Sequence, residues 1–369
     1  MAPRPLTSVV LAAGEGTRMR STRPKPLHLL CGRAMLLHIL DSVAALQVER
    51  AVVVVGHGAE RVTKKLTEQG PPDLPIDFVE QVVQRGTGDA LMVALTAFPD
   101  DPDDAEDGGD VLVLPGDTPL VLPTTLAGLV AAHREAGAAA TVLTARVPDP
   151  TGYGRVVRGK EGRVVRVVEQ ADASADEQEI DEVNTSIYCF RRGVLAPALR
   201  RLTPQNALGE HYLTDVVEVL ADAGYRVSAF EVEDPMTCVG VNDRVQLAAA
   251  EAELRRRTNE RWLRLGVTML DPLRTYLDTT VRLAADVTLF PGTILQGSTV
   301  VGERAEIGPD TRLVDCTVGA DAVVASPSAD DAEVGAGARV GPYASLEPGS
   351  SIAPGVVTGP FYSGRERRD

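Results

Sequence analysis

The sequence predicts an α/β protein: a Rossmann-like domain with a mostly parallel sheet, followed by a short left-handed parallel β-helix. Three observations predict it. Apolar, strand-like runs alternate with amphipathic stretches through the first half of the 369 residues, a glycine-rich cationic loop follows the first run, and a six-residue apolar period takes over toward the end. The expected division is residues 1–243 for the sheet domain, 244–266 for a linking helix and 267–369 for the β-helix.

Ser8-Val9-Val10-Leu11-Ala12-Ala13 has the continuous apolar character of a strand buried on both faces. It breaks into a loop in which Gly14 and Gly16 remove Cβ where phosphates would approach the backbone. Arg18, Arg20, Arg23 and Lys25 crowd positive charge onto the same loop, and Pro24 and Pro26 hold the Lys25 segment extended. A polyphosphate is the simplest ligand. No Gly-Lys-Ser/Thr follows Gly16, which sets a Walker loop aside, and Met19 stands where a dinucleotide fingerprint needs a small residue.

The remaining elements follow in order. Leu36, Leu37, Leu40 and Ala44 mark one face of a helix over Arg33–Ala45; Ala51–Val55 is a strand closed by Gly56-His57-Gly58; a helix runs through Leu66; Ile76–Val79 is a third strand and Asp89–Ala97 a third helix. Strand alternating with helix across short turns means a parallel sheet covered on both faces, with ligands at the carboxyl edge of its strands. Between the third strand and its helix, Gly86-Thr87-Gly88 forms a second close-approach loop, suited to a base or an anion and also to a simple cap. The acidic run Asp100–Asp110 reads as a solvated loop. Val111–Leu114 is the next strand and delivers Asp117 beside Gly116, where a hard cation bridging phosphates would sit, or an ordinary turn.

Farther on, Thr151–Arg155 precedes a strand pair ending at Glu169, and Asn184 lies in another strand. Asp243 can cap a helix running through Leu247, Leu254 and Trp262 to Gly266. Val301, Ile307 and Leu313, then Val334, Val340, Leu346 and Ile352, carry the hexapeptide period.

Composition narrows the partners. A formal charge of −15 argues against nucleic acid and anionic membranes, which require a basic face. No apolar run approaches membrane-spanning length and MAPRPLT lacks a signal-peptide core, so a cytoplasmic chain is expected. Cys31, Cys189, Cys238 and Cys316 are scattered without metal-ligand spacing and read as reduced packing residues.

The whole string from Thr7 to Pro26, TSVVLAAGEGTRMRSTRPKP, resembles the signature of the sugar-1-phosphate nucleotidylyltransferases. With the order of the later segments and the hexapeptide domain, the chain resembles the bifunctional N-acetylglucosamine-1-phosphate uridylyltransferase and glucosamine-1-phosphate acetyltransferase family. The resemblance implies a nucleotide-diphospho-sugar transferase fold. It also implies phosphate-neutralising roles for Arg18 and Lys25, nucleotide contacts at Leu11, Ala12, Ala13, Gly14, Gly16, Gln81, Gly86 and Thr87, sugar contacts at Gly154, Glu169 and Asn184, and magnesium (Mg2+) on Asp117 and Asn242. The expected substrates are UTP and N-acetylglucosamine 1-phosphate.

Four positions depart from the family pattern. Asp89 replaces a histidine of the uridylyltransferase branch, Ala171 a lysine after the sugar glutamate, Pro115 a side chain often aromatic, and Glu347 an arginine that binds sugar phosphate. Glu210–Asp215 resembles a further family segment near the sugar, and His211 within it reads as structural rather than catalytic. The chain ends in GPFYSGRERRD, and on the family pattern the acetyltransferase half is expected to be absent. Association into trimers through the β-helix is expected, weakened by the short stack. Two other readings stand beside this one: the same chemistry on another sugar or base, and a non-catalytic regulatory or scaffolding homologue, against which intact Arg18, Lys25, Asp117 and Asn242 argue.

Overall fold

The computed structural model describes residues 4–98 and 108–364. The chain divides into two compact units, Met1–His28 with Ala34–Gln246, and Leu29–Arg33 with Leu247–Asp369.

In the first unit nine strands make one sheet, whose main path runs Val227–Glu231, Ala140–Arg146, Glu182–Arg191, Asp110–Pro115, Leu6–Leu11, Arg50–Val55 and Ile76–Glu80. Neighbours on this path are parallel except at Glu182–Arg191, which is antiparallel to both strands beside it. A hairpin of Arg155–Arg158 and Val164–Val168 branches off this path, with Arg155 opposite Val183 near the start of the interior strand Glu182–Arg191.

The strands are apolar at consecutive positions because both faces are covered. Val10, Val53 and Leu112 face one core with the helices Met35–Ala44, Ala59–Gln69 and Pro123–Ala136. Val9, Val52 and Val111 face the other, with Thr87–Leu95, Arg192–Leu199 and Asp215–Asp222. Each such side chain removed from water stabilises the fold by about 1.5–3 kcal/mol. Pro123 starts its helix with a preset φ, and Gly137 stops it in the left-handed region at φ 56.

One expectation needs correction. The acidic run read as solvated falls outside the described residues up to 107, but Asp110 is 2% exposed and opens a central strand. Arg134 Nε donates to it at 2.7 Å, and His133 Nε2 lies 3.5 Å away. Burial would raise the Asp110 pKa, yet the bonds from His133 and Arg134 outweigh it and hold the carboxyl below its ordinary range. A charge run in sequence hides such a residue because its last member belongs to the strand.

The second unit is a parallel β-helix of three sheets with 5, 6 and 5 strands. Val301, Ile307, Leu313, Val334, Val340, Leu346 and Ile352 point inward, none more than 4% exposed. Thr288, Glu306, Val323 and Arg339 pair in succession, each on the next coil, with shrinking spacing, which is why the six-residue period lapses between Leu313 and Val334. Coils stack closely where glycine allows it: a Cβ on Gly319 would stand 2.5 Å from Ala336 N. The helix Arg244–Arg264 contributes its later turns to this unit, where Trp262 enters the core and Asn259 Nδ2 donates to Pro272 O at 2.8 Å and Thr275 O at 3.0 Å. Cys31 N donates to Glu251 Oε2 at 2.7 Å, tying Leu29–Arg33 into the same unit.

All four cysteines are buried and none forms a disulfide. Among the described residues no helix is long and apolar enough to cross a membrane.

Candidate active site

At the carboxyl edge of the parallel strands lies a cavity of about 670 Å³ in the first unit. Leu11, Ala12, Ala13, Gly14, Arg18, Lys25, Gln81, Gly86, Thr87, Asp117, Gly154, Glu169, Asn184 and Asn242 all line it. Gly16 does not. It sits at φ 65, and a Cβ there would stand 2.6 Å from Lys25 Cβ, so its missing side chain seats the Lys25 stem. At Gly14, by contrast, an added Cβ meets nothing within 4 Å. Packing does not require glycine at that position; the open space is part of the cavity.

At the glycine-loop end, three charged or polar segments far apart in sequence meet. Lys25 Nζ lies 2.5 Å from Asp117 Oδ2 and donates to Asn242 Oδ1 at 2.8 Å, and Arg18 Nη2 donates to the same Asn242 oxygen at 2.9 Å. Asp117 follows the Asp110–Pro115 strand, and Gly116 is required because a Cβ would come within 2.9 Å of Ala12 Cβ on the adjoining strand end. Asn242 precedes a reciprocal cap: Gln246 N donates to Asp243 Oδ1 at 2.8 Å while Asn242 N donates to Gln246 Oε1 at 2.7 Å.

The second loop is fixed by backbone bonds to the Glu210–His211 segment. His211 N donates to Arg85 O and Gly88 N to His211 O, both at 2.8 Å, and Leu213 N donates to Thr87 Oγ1 at 3.0 Å. Gly86, at φ 107, leaves no room for a Cβ against His211 O. Gln84 Nε2 reaches across to Ala13 O at 2.7 Å and joins the two loops.

At the opposite end, Glu169 accepts from Thr214 Oγ1 at 3.1 Å. Burial, then the nearby carboxylates of Asp215 and Asp172, push its pKa up despite that bond. A Cβ on Gly154 would press on Val167 Cγ1 at 3.1 Å but would meet Glu169 Oε2 only at contact distance, 3.4 Å. Asn184 N donates to Gly154 O at 2.8 Å. Its Oδ1 accepts from Ser186 N at 3.0 Å across a bulge where Ser186 takes φ 61.

The model of the nucleotidyl transferase family matches residues 7–266. The chain belongs to the nucleotidyl transferase family. Among curated relatives, the bifunctional protein GlmU of Thermobifida fusca is 48% identical over 90% of this chain and 68% of its own length. The bifunctional protein GlmU of Shouchella clausii is 45% identical over 85% and 66%, and that of Bifidobacterium longum subsp. infantis 46% identical over 89% and 70%. This nucleotidyl transferase thus spans about two thirds of the length of the relatives it matches.

The nucleotidyl transferase site fits a hard cation. Asp117 Oδ2 and Asn242 Oδ1 converge on one positive charge, the Lys25 ammonium, an oxygen-only donor set of the kind magnesium takes. Among the described residues no cluster of three or more His, Cys, Asp and Glu could hold a metal by itself. Phosphate oxygens and water would have to complete the coordination.

Several supporting residues escaped the reading of the sequence. Arg155, 2% exposed, donates to Tyr153 O and, at 2.8 Å, to Gln170 Oε1, which also accepts from Gly152 N. It thereby holds both the Gly152–Gly154 loop and the neighbour of Glu169. Arg244 donates to Met19 O at 3.1 Å and steadies the turn that presents Arg18. The available signal was a cation adjacent to each named motif; Thr214 lies within the Glu210–Asp215 segment already singled out, and Ser186 carried none.

Proposed function

We propose that this nucleotidyl transferase moves UMP from UTP to N-acetylglucosamine 1-phosphate, giving UDP-N-acetylglucosamine and pyrophosphate. The observation that supports this most is the meeting of Arg18, Lys25, Asp117 and Asn242 at one end of a cavity whose other end carries Glu169 and Asn184. The phosphate oxygen of the sugar attacks the α-phosphorus, the bond to the bridging oxygen of the β-phosphate breaks, and pyrophosphate leaves with those electrons. No covalent nucleophile is required.

The chain's contribution is position and charge. The Lys25 ammonium, held by Asp117 and Asn242 in the free protein, turns to the phosphates when they enter, and Arg18 joins it. A single preorganised donor of this kind is worth roughly 10²–10³ in rate. Magnesium on Asp117 and Asn242, when bound, supplies further neutralisation of phosphate charge. Asn184, with Oδ1 engaged by Ser186, offers Nδ2 to the acetamido carbonyl, and Glu169 accepts from a sugar hydroxyl. The reading includes trimerisation through the β-helix and, with Glu347 at the sugar-phosphate position, assigns residues 267–369 no acetyl transfer.

The test is pyrophosphate release across a panel of nucleoside triphosphates and sugar 1-phosphates. UTP with N-acetylglucosamine 1-phosphate should be the fastest pair. A faster pair of another sugar or base would replace the assignment.

A further inference from the structure

We infer that Asp89 decides which class of base this site accepts, by locking the side-chain amide of Gln81. The inference rests on the nucleotidyl-transfer reading above and goes on to the base edge. Gln81 follows the Ile76–Glu80 strand, is 5% exposed, and is anchored through its backbone N to Val55 O at 2.8 Å. Its amide nitrogen carries two hydrogens, and both are committed. Nε2 donates to Asp89 Oδ2 at 2.7 Å and to Gly86 O at 3.2 Å.

Turning the amide over would aim Oε1 at a carboxylate and a carbonyl, three acceptors with no proton among them. An ionised carboxylate accepts only, so Asp89 enforces one orientation where a neutral amide or hydroxyl would permit either. The group that Gln81 can then offer a ligand in the cavity is its acceptor, Oε1. An acceptor there suits a base edge presenting a ring N–H, as the imide of uracil or thymine does. Cytosine places a bare ring nitrogen at the same position, acceptor against acceptor.

The loop carrying this pair cannot easily drift, because Gly86 is packed against His211 O and Thr87 Oγ1 accepts from Leu213 N. A competing explanation is that Asp89, in the first turn of the Thr87–Leu95 helix, merely complements the helix dipole. That role would affect stability and leave base choice untouched.

Calorimetric binding of UTP and CTP to the full chain separates the two, and it does not depend on turnover. The unaltered protein should favour UTP by at least about tenfold. Asp89→Asn, nearly the same size but able to meet Gln81 in either orientation, should bring the two affinities to within about threefold. The ratio is internal to each variant, so partial loss of folded protein cancels. An unchanged ratio in Asp89→Asn would overturn the role of Asp89, as would equal binding of UTP and CTP by the unaltered chain. Failure of the nucleotidyl-transfer reading would appear separately, as absence of pyrophosphate release with every sugar phosphate while the binding ratio still responds to Asp89.

Discussion

At the glycine-loop end of the cavity, Arg18, Lys25, Asp117 and Asn242 hold one another; at the far end, Thr214 holds Glu169 and Ser186 N holds Asn184, while Arg155 and Gln170, which do not line the cavity, hold the Gly152–Gly154 loop beside them. The first arrangement is a set of partly exposed charges whose partners are each other, so an incoming polyphosphate can exchange for any of them. The second is preformed: Glu169 and Asn184 are bonded to neutral groups of Thr214 and Ser186 beside them in the lining. On the proposed reading, charge is left free to follow the reacting groups where charge changes, and geometry is fixed where the sugar ring would be recognised.

The widest separation between the ends should come from Lys25→Ala. Its loss removes a donor aimed at charge that grows in the transition state, so kcat should fall by roughly 10²–10³, with the urea midpoint scarcely changed. Near-normal turnover would remove Lys25 from the chemistry. Asp117→Asn acts at the same end: an amide is a poorer ligand for a hard cation, and the magnesium concentration giving half-maximal rate should rise by at least about tenfold. A superimposable magnesium titration would dismiss Asp117 as a ligand.

The far end should respond differently. Arg155→Met leaves the Tyr153 carbonyl without its donor and Gln170 Oε1 with Gly152 N alone, at a cost of about 1–3 kcal/mol in stability, and loosens the Gly152–Gly154 loop. KM for the sugar phosphate should rise while kcat changes much less. Equal losses in both constants would mean that this end, too, is tuned to the transition state.

The smallest effect concerns pH. Burial, then Glu218 and Asp172, raise the Asp215 carboxyl from 3.8 to about 6. The folded state holds that proton more tightly than the unfolded chain, so the contribution is full below pH 3.8 and lost as pH rises through about 6. Urea midpoints between pH 4 and 7 should fall less steeply in Asp215→Asn than in the parent. Identical slopes would place the titration elsewhere.

The two ends were unequally legible in the sequence. Gly14, Arg18, Lys25 and Asp117 announce themselves because phosphate chemistry demands particular residue types next to strand ends, and local order shows them. Gln170 and Thr214 act through contacts between segments distant in sequence, and Ser186 through its backbone N at a bulge, which an ordinary serine does not mark. Gly16 looked like a phosphate glycine but answers to Lys25, a contact across a turn that spacing alone does not reveal. The strand Glu182–Arg191 could be placed, but its antiparallel direction depends on the connections around it. The β-helix was visible wherever six-residue spacing persists and dropped out where its coils shorten.

That unequal coil length has a consequence for evolution. Each strand of the stack needs only the strands directly above and below it, as the serial pairing of Thr288, Glu306, Val323 and Arg339 illustrates. A whole coil duplicated or excised restores the same inward residues and the same neighbours, so such an event is nearly invisible to folding, whereas a comparable insertion within the nine-stranded sheet would dislodge the loops that carry Lys25 and Asp117. Folding thus leaves the number of coils undetermined in this lineage, open to be set by whatever the coils are used for.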